Sequence, residues 1–241
     1  MPQYDNKRAN INVDERLIVA LDCPSFSEAK DLVNLLENTV KFYKVGLELF
    51  MDGNYLDVIE WLIDKKKKVF VDLKFFDIPN TVYHAVDQLN KCGATFATVH
   101  GNDSILEAAA RAKKEIKILA VTVLTSLDRG DLTDMGFSCD PEKLVLSRAK
   151  RALQIGCDGV ISSGLEAPAL RKACGSEFII VTPGIRPIDN KEEDDQKRTV
   201  DVEEAFERGA DYIVVGRPIR TAENPKAIAA GIQKRIAAHF S

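Results

Sequence analysis

The sequence predicts an α/β protein built as one TIM-type (β/α)8 barrel, and three observations carry that prediction. Eight short runs rich in β-branched and aromatic residues recur along the chain. The stretches between them have helical spacing or helix-boundary residues. The turn after the first run, VALDCPSFSE, lacks the Gly-x-Gly of an open dinucleotide-binding sheet. Repeated strand–helix units imply a parallel sheet with right-handed crossovers, and eight of them close most simply into a barrel. An open doubly wound sheet is the alternative. The 241 residues suit a barrel, since such folds run to about 250 residues as one unit.

Taken in order, the first strand is RLIVALD (Arg16–Asp22). It is followed by SFSEAKDLVNLLEN, where Ser25 is placed to cap a helix with Glu28 three residues on. FYKVG (Phe42–Gly46) precedes a helix over Tyr55–Lys65, with Leu56, Ile59, Trp61, Leu62 and Ile63 at helical spacing. KVFVDLK (Lys68–Lys74) precedes a helix over Asn80–Lys91 that stops at Cys92-Gly93. FATVHG (Phe96–Gly101) leads to a helix over Ser104–Lys114, and KILAVTV (Lys117–Val123) to one over Pro141–Ile155. GVISS (Gly159–Ser163), FIIVTPG (Phe178–Gly184) and YIVVG (Tyr212–Gly216) are followed by helices over Glu166–Ala173, Val202–Arg208 and Pro225–Phe240. Gly156 and Gly209 stand just past their helices, where a left-handed residue is wanted. No linker or second core interrupts the pattern, so residues 1–241 are expected to form one domain with a polar N-terminal extension over 1–14. The run Lys65–Lys68 reads as a solvated helix end rather than a phosphate or nucleic-acid patch.

Composition narrows the partners. With 33 basic and 37 acidic residues the net charge is −4, so no global field favours nucleic acid or an anionic membrane. Any anionic ligand must be held by a local site. Cys23, Cys92, Cys139, Cys157 and Cys174 are odd in number and lack a CxxC, and His84, His100 and His239 are scattered, so no zinc pattern forms. Reduced thiols and a polar N-terminus point to a soluble cytoplasmic protein. The longest uncharged run, Cys92–Asn102, falls well short of the ~20 residues that span a bilayer.

Charge stands where a barrel built only for stability would carry valine. Asp22 closes the first strand, and Lys44 interrupts the second with Phe42 and Gly46 as same-face neighbours. Asp72 and Lys74 close the third, and a period of two puts both on one face. A lone buried ion costs several kcal/mol, so these groups must pair or stay wet. A salt-bridged plug at the mouth is the purely structural reading. Four charges at one level on three adjacent strands argue for an active site instead, because the C-terminal strand ends are where barrel sites lie. Asp77 extends the set to an alternating Lys–Asp–Lys–Asp array, in which carboxylates keep an ammonium protonated and in place as a general acid. After the seventh and eighth strands, Gly184 and Gly216 open the backbone to an anion, with Arg186 and Arg217 beside them. The polar stretch DNKEEDDQKR (Asp189–Arg198) reads either as a disordered segment or as a lid.

The segment DLKFFDIPNT (Asp72–Thr81) resembles the orotidine 5′-phosphate decarboxylase family, whose pattern there is Asp-x-Lys-x-x-Asp-Ile-Pro-x-Thr. VALD, KVG, VTVLTS, VTPGIRP and VVGRPI follow the same family in order on successive strands, so the likeness covers nearly the whole chain. The resemblance implies conversion of orotidine monophosphate to uridine monophosphate and CO2, the last step of de novo pyrimidine nucleotide synthesis, with neither metal nor organic cofactor. It implies that Lys74 protonates C6 of the pyrimidine, that Asp72 faces the substrate carboxylate, and that Lys44 bridges Asp72 and the ribose. It further implies a homodimer with shared sites, in which Asp77, Ile78 and Thr81 come from the partner subunit. Asp22 and Thr81 would bind ribose hydroxyls, and Thr125 and Ser126 would meet the pyrimidine or its surroundings. Pro183, Arg186, Gly216 and Arg217 would line the phosphate end. Gln196, in a closing loop over 187–199, would reach the 5′-phosphate.

Related sugar-phosphate barrels share the Asp-x-Lys-x-x-Asp spacing but use Mg2+, so they remain a rival reading. A non-catalytic phosphate-ligand barrel is another. His100 is expected to be a structural, hydrogen-bonded imidazole, His84 a surface or interface residue, and His239 a solvated helix end. Cys23 lies near the mouth with no base offered to it.

Overall fold

Alternation along the apolar runs builds two layers, one inside the sheet and one behind it. The computed structural model describes residues 11–186 and 200–241. Eight parallel strands close in sequence order: β1 (Leu17–Ala20), β2 (Phe42–Gly46), β3 (Lys68–Phe75), β4 (Phe96–His100), β5 (Lys117–Val121), β6 (Gly159–Ile161), β7 (Ile179–Thr182) and β8 (Tyr212–Val215). The barrel closes where Ile18 pairs with Val214. Inward positions form a buried cluster of Ile18, Ala20, Phe42, Phe70, Phe96, Leu119, Val181, Tyr212 and Val214. In its aromatic centre Phe96 packs tilted against Phe42 at 5.1 Å and edge-on against Tyr212 at 5.2 Å between ring centroids. Outward residues of the same strands, among them Val19, Tyr43, Val69, Ala97, Ile118 and Ile213, pack beneath the helices. This parity also decides which polar side chains reach the inside.

The helical layer runs α1 (Phe26–Leu36), α2 (Leu47–Met51), α3 (Tyr55–Asp64), α4 (Pro79–Lys91), α5 (Asp103–Ala112), α6 (Arg129–Asp134), α7 (Pro141–Ile155), α8 (Ala167–Cys174), α9 (Val202–Glu207), α10 (Arg217–Arg220) and α11 (Pro225–Phe240). Ser25 caps α1 by accepting from the Glu28 N–H, as its spacing predicts. Gly156 closes α7 in the left-handed region. Six of the strands stop short of the C-terminal ends of their apolar runs, β2 matches its run, and β3 extends one residue beyond it. Three short helices, α2, α6 and α10, were not expected; each is too brief to show a hydrophobic period. Part of the polar extension is built into the fold: Ile11 packs against the inner cluster and Val13–Glu15 form a 3-10 turn. Lys65 and Lys66 are exposed at the end of α3, as expected of a solvated helix end, whereas Lys67 donates to the carbonyls of Glu37 and Val40 and Lys68 pairs with Glu15, stitching neighbouring segments together. His239 stacks near Phe206, not in open solvent.

Arg171 ties three elements at the face of the barrel away from the mouth. Its guanidinium donates to the carbonyls of Gly175, Ser176, Phe178 and Gly209 and to Asp211 Oδ2 at 2.7 Å. Asp211 Oδ2 in turn accepts from the Ile180 N–H at 2.8 Å. Both side chains are buried, so removing one partner strands a charge. Arg171→Met should therefore lower unfolding free energy by about 3–5 kcal/mol, read from urea denaturation; a loss under about 1 kcal/mol would contradict this account.

Candidate active site

At the C-terminal strand ends the inward parity delivers charge. Lys44 pairs across the sheet with Ala20 and Phe70, and Gly46 pairs with Asp72. Lys44 Nζ lies 3.0 Å from Asp22 Oδ1 and 3.5 Å from Asp72 Oδ2; Lys74 Nζ lies 2.9 Å from Asp72 Oδ1. The result is an alternating row, Asp22–Lys44–Asp72–Lys74. The Lys44 and Asp72 side chains are only 13% and 12% exposed, whereas Lys74 and Asp22 open to the cavity at 36% and 45%. Gly46 makes room for the row: a Cβ there would stand 3.2 Å from Lys44 Nζ.

Burial works against charge at Lys44, but the Asp72 and Asp22 carboxylates outweigh it and hold the ammonium above its ordinary range. Burial likewise opposes ionisation of Asp72. The two lysines and the hydrogen bonds from Lys74 and Thr98 overcome it, holding the carboxyl below the usual carboxylate range. Lys74 does not sit on a regular strand. Its φ is 48°, and the β3–β4 register shifts between Val71 and Phe75. A simple period of two therefore fails beyond Asp72, and the two side chains meet through an irregularity rather than through pleating.

The row forms one wall of a cavity of about 270 Å³. Ala20, Phe70, Val121, Ile161 and Val214 make its apolar floor. The lining is completed by Pro183, Gly184, Arg186, Gly216 and Arg217, from the ends of β7 and β8, and by Leu124 and Thr125 from the end of β5; Gly216 adjoins the Asp22 end of the row, where a Cβ would stand 3.6 Å from Asp22 Oδ2. Gly184 has φ +76°, a conformation that favours glycine. The segment beyond Arg186 is pinned at its base, where Ile185 bridges Val200 and the Arg186 N–H donates to the Val200 carbonyl at 3.0 Å. Gln196 and the rest of 187–199 lie outside the described residues.

Not every expected residue joins this cavity. Ser126 is exposed and away from its lining, because the chain turns outward after Thr125. Asp77, Ile78 and Thr81 do not line the cavity of their own chain. Asp77 accepts from the Ile78 N–H at 2.6 Å, and all three side chains are exposed. Asp77 and Ile78 border a second, largely apolar cavity of about 660 Å³ with Phe76, His100, Met135 and Arg148. His100 packs edge-on against Phe76, and its Nδ1 has no hydrogen-bond partner, unlike the hydrogen-bonded imidazole expected. Burial, Arg148 and Lys74 hold its pKa below the ordinary imidazole value. His84 is exposed on α4. Burial pushes the Cys23 thiol up to about 11, leaving it inert. Among the described residues no three His, Cys, Asp or Glu side chains converge as metal ligands, and no helix is long and apolar enough to cross a membrane. Sequence reasoning missed Thr98, whose buried hydroxyl touches both Asp72 and Lys74. Its signal was a lone hydroxyl at inward parity in an otherwise apolar run.

Fold and site define a (β/α)8-barrel enzyme whose mouth carries a row of charged groups together with anion-ready glycines and arginines. Residues 15–232 match the family described as orotidine 5′-phosphate decarboxylase / HUMPS, and the chain belongs to that family. It is 60% identical over 236 residues to the orotidine 5′-phosphate decarboxylase of Methylococcus capsulatus, covering 98% of this chain and 97% of that one. The Stenotrophomonas maltophilia protein of the same name is 50% identical over 93% of each chain. The crystal structure of the Lactobacillus acidophilus protein superposes with a TM-score of 0.81 at 38% identity, covering 92% of this chain and 99% of that one.

Asp72 is the carboxylate that both ammonium groups share. Asp72→Ala should lower stability by about 1–3 kcal/mol at neutral pH. A carboxyl held low adds stability above its unfolded value, 3.8, which is lost as pH falls through the lowered value. The gap between wild type and variant in urea midpoint should therefore narrow below pH 3.8; a gap independent of pH would contradict this.

Proposed function

We propose that this protein decarboxylates orotidine 5′-phosphate to uridine 5′-phosphate and CO2, without metal or organic cofactor, as a homodimer with shared active sites in the cytoplasm. The observation that carries the reading is the row Asp22–Lys44–Asp72–Lys74 along a cavity whose lining also holds Arg186, Gly216 and Arg217. A nucleotide with its phosphate at these arginines presents its base to Lys74. Family membership and 50–60% identity to proteins named for this activity support the choice of substrate.

Breaking the bond from C6 to the carboxylate leaves the electron pair on C6, which has no neighbouring sink. The Lys74 ammonium stands ready to stabilise that charge and deliver a proton to C6, becoming a neutral amine that solvent reprotonates. Asp72 faces the departing carboxylate and holds Lys74 in place. Lys44, held charged by Asp22 and Asp72, bridges the row to the ribose. Asp22 binds a ribose hydroxyl, Thr125 meets the pyrimidine, and Gln196 reaches the phosphate from the 187–199 loop. Phosphate contacts remote from C6 help to order the row.

The dimer reading draws on the second cavity. Phe76, Ile78 and Met135 are 68%, 66% and 61% exposed around it, an apolar surface that a second copy of the chain would cover. Such a copy would also carry Asp77, Ile78 and Thr81 towards the neighbouring row.

Purified protein given orotidine monophosphate should lose the substrate's pyrimidine absorbance at an unchanged rate in EDTA. A strict Mg2+ requirement would favour the sugar-phosphate barrels, and binding of uridine monophosphate without turnover would contradict catalysis. Lys74→Ala should lower kcat by about 100–10,000-fold. Mixing inactive Lys74→Ala and Asp77→Ala chains should restore activity in hybrid dimers; no recovery under subunit exchange would overturn the shared site.

A further inference from the structure

We propose that Thr98 is a positioning residue for Lys74, its hydroxyl holding the irregular turn that presents the Lys74 ammonium to Asp72 and to the cavity. The proposal rests on the decarboxylase reading for its consequence in catalysis, but its structural content stands on the geometry alone.

The β3–β4 ladder is regular through Phe70↔Phe96 and Val71↔Ala97, and its next partner pair is Phe75↔Val99. Asp72, Leu73 and Lys74 are therefore all accommodated opposite Thr98. Lys74 adopts φ 48° within this irregularity, a left-handed conformation that is unfavourable for a non-glycine residue. Such a conformation persists only where its surroundings over-determine it.

Thr98 supplies the missing restraint. The Lys74 backbone N–H donates to Thr98 Oγ1 at 2.9 Å. With a lone pair engaged, the hydroxyl directs its one proton to Asp72 Oδ1 at 3.0 Å. The same carboxylate oxygen accepts from Lys74 Nζ at 2.9 Å. A closed ring results, from the Lys74 backbone through the Thr98 hydroxyl and Asp72 to the Lys74 ammonium, so one hydroxyl fixes both ends of the lysine. Thr98 is fully buried, and its branched side chain has few rotamers. A neutral donor to Asp72 also adds no charge to compete with the two lysines.

The test compares wild type, Thr98→Val, which keeps shape and loses the hydroxyl, and Thr98→Ser, which keeps the hydroxyl. Thr98→Ala, also without the hydroxyl, is read in place of Thr98→Val if the latter does not fold. The expected result in the variant lacking the hydroxyl is a kcat for orotidine monophosphate lower by roughly 10–100-fold, with KM changed less than about 3-fold. The Lys74 amide, followed by NMR hydrogen exchange, should exchange at least about 10-fold faster. Thr98→Ser should restore both to within about 3-fold of wild type. A purely structural threonine would leave the Lys74 amide and the kcat–KM split unmoved. Unchanged amide exchange overturns the proposal whatever the activity, and so does an unchanged kcat in an active enzyme. An inactive wild type overturns the decarboxylase reading instead, and the amide exchange then decides Thr98 by itself.

Discussion

A single carboxylate, Asp72, sits between two lysines near the top of a closed barrel, and the arrangement of the site follows from keeping it ionised there. Burial alone would raise its pKa. Lys44 and Lys74, 3.5 Å and 2.9 Å away, reverse that preference, and the Thr98 hydroxyl adds a third donor. The dependence is mutual, because Asp72 and Asp22 offset the burial of Lys44 and hold its ammonium above its ordinary range. Removing any one member changes the electrostatic balance of the rest, so the row behaves as a unit rather than as four separate groups.

The barrel supplies this row by ordinary means. Inward parity places Phe42 and Phe70 in the packed interior and sets Lys44 and Asp72, two residues on along their strands, above them. Gly46 gives up its side chain so that the Lys44 ammonium has room. Where parity no longer suffices, at Lys74, a register shift and a left-handed residue take over, and a hydroxyl from the next strand holds them. Stability is anchored at the other face, where Arg171 and Asp211 join the ends of α8, β7 and β8. The mouth is left to carry the charged row, at the end of the barrel where active sites lie.

Much of this was legible in the sequence because strands announce themselves by composition and parity. The eight strands all lie within the eight apolar runs, save that β3 extends one residue further. Asp22, Lys44, Asp72 and Lys74 stood out as charges in apolar company, and their meeting followed from adjacency of the first three strands. What was not legible depended on backbone detail that composition does not encode. The shift at Lys74 replaces alternation with a turn, and only the β4 neighbour reveals why it is tolerated. Ser126 follows Thr125 in sequence but turns away from the cavity. Asp77, Ile78 and Thr81, which only the family resemblance assigned to a partner's site, are exposed around Pro79 at the start of α4. The short helices α2, α6 and α10 carry too few residues to show a period.

The most direct test of the central claim is a carbon-13 NMR titration of the Asp72 carboxyl in the ligand-free protein, with Asp72→Asn used to assign the resonance. A carboxylate shared by two lysines and a hydroxyl should titrate with a midpoint below 3.8, its ordinary value. A midpoint above 3.8 would mean that burial prevails over its partners, and the account of a permanently charged row would fail.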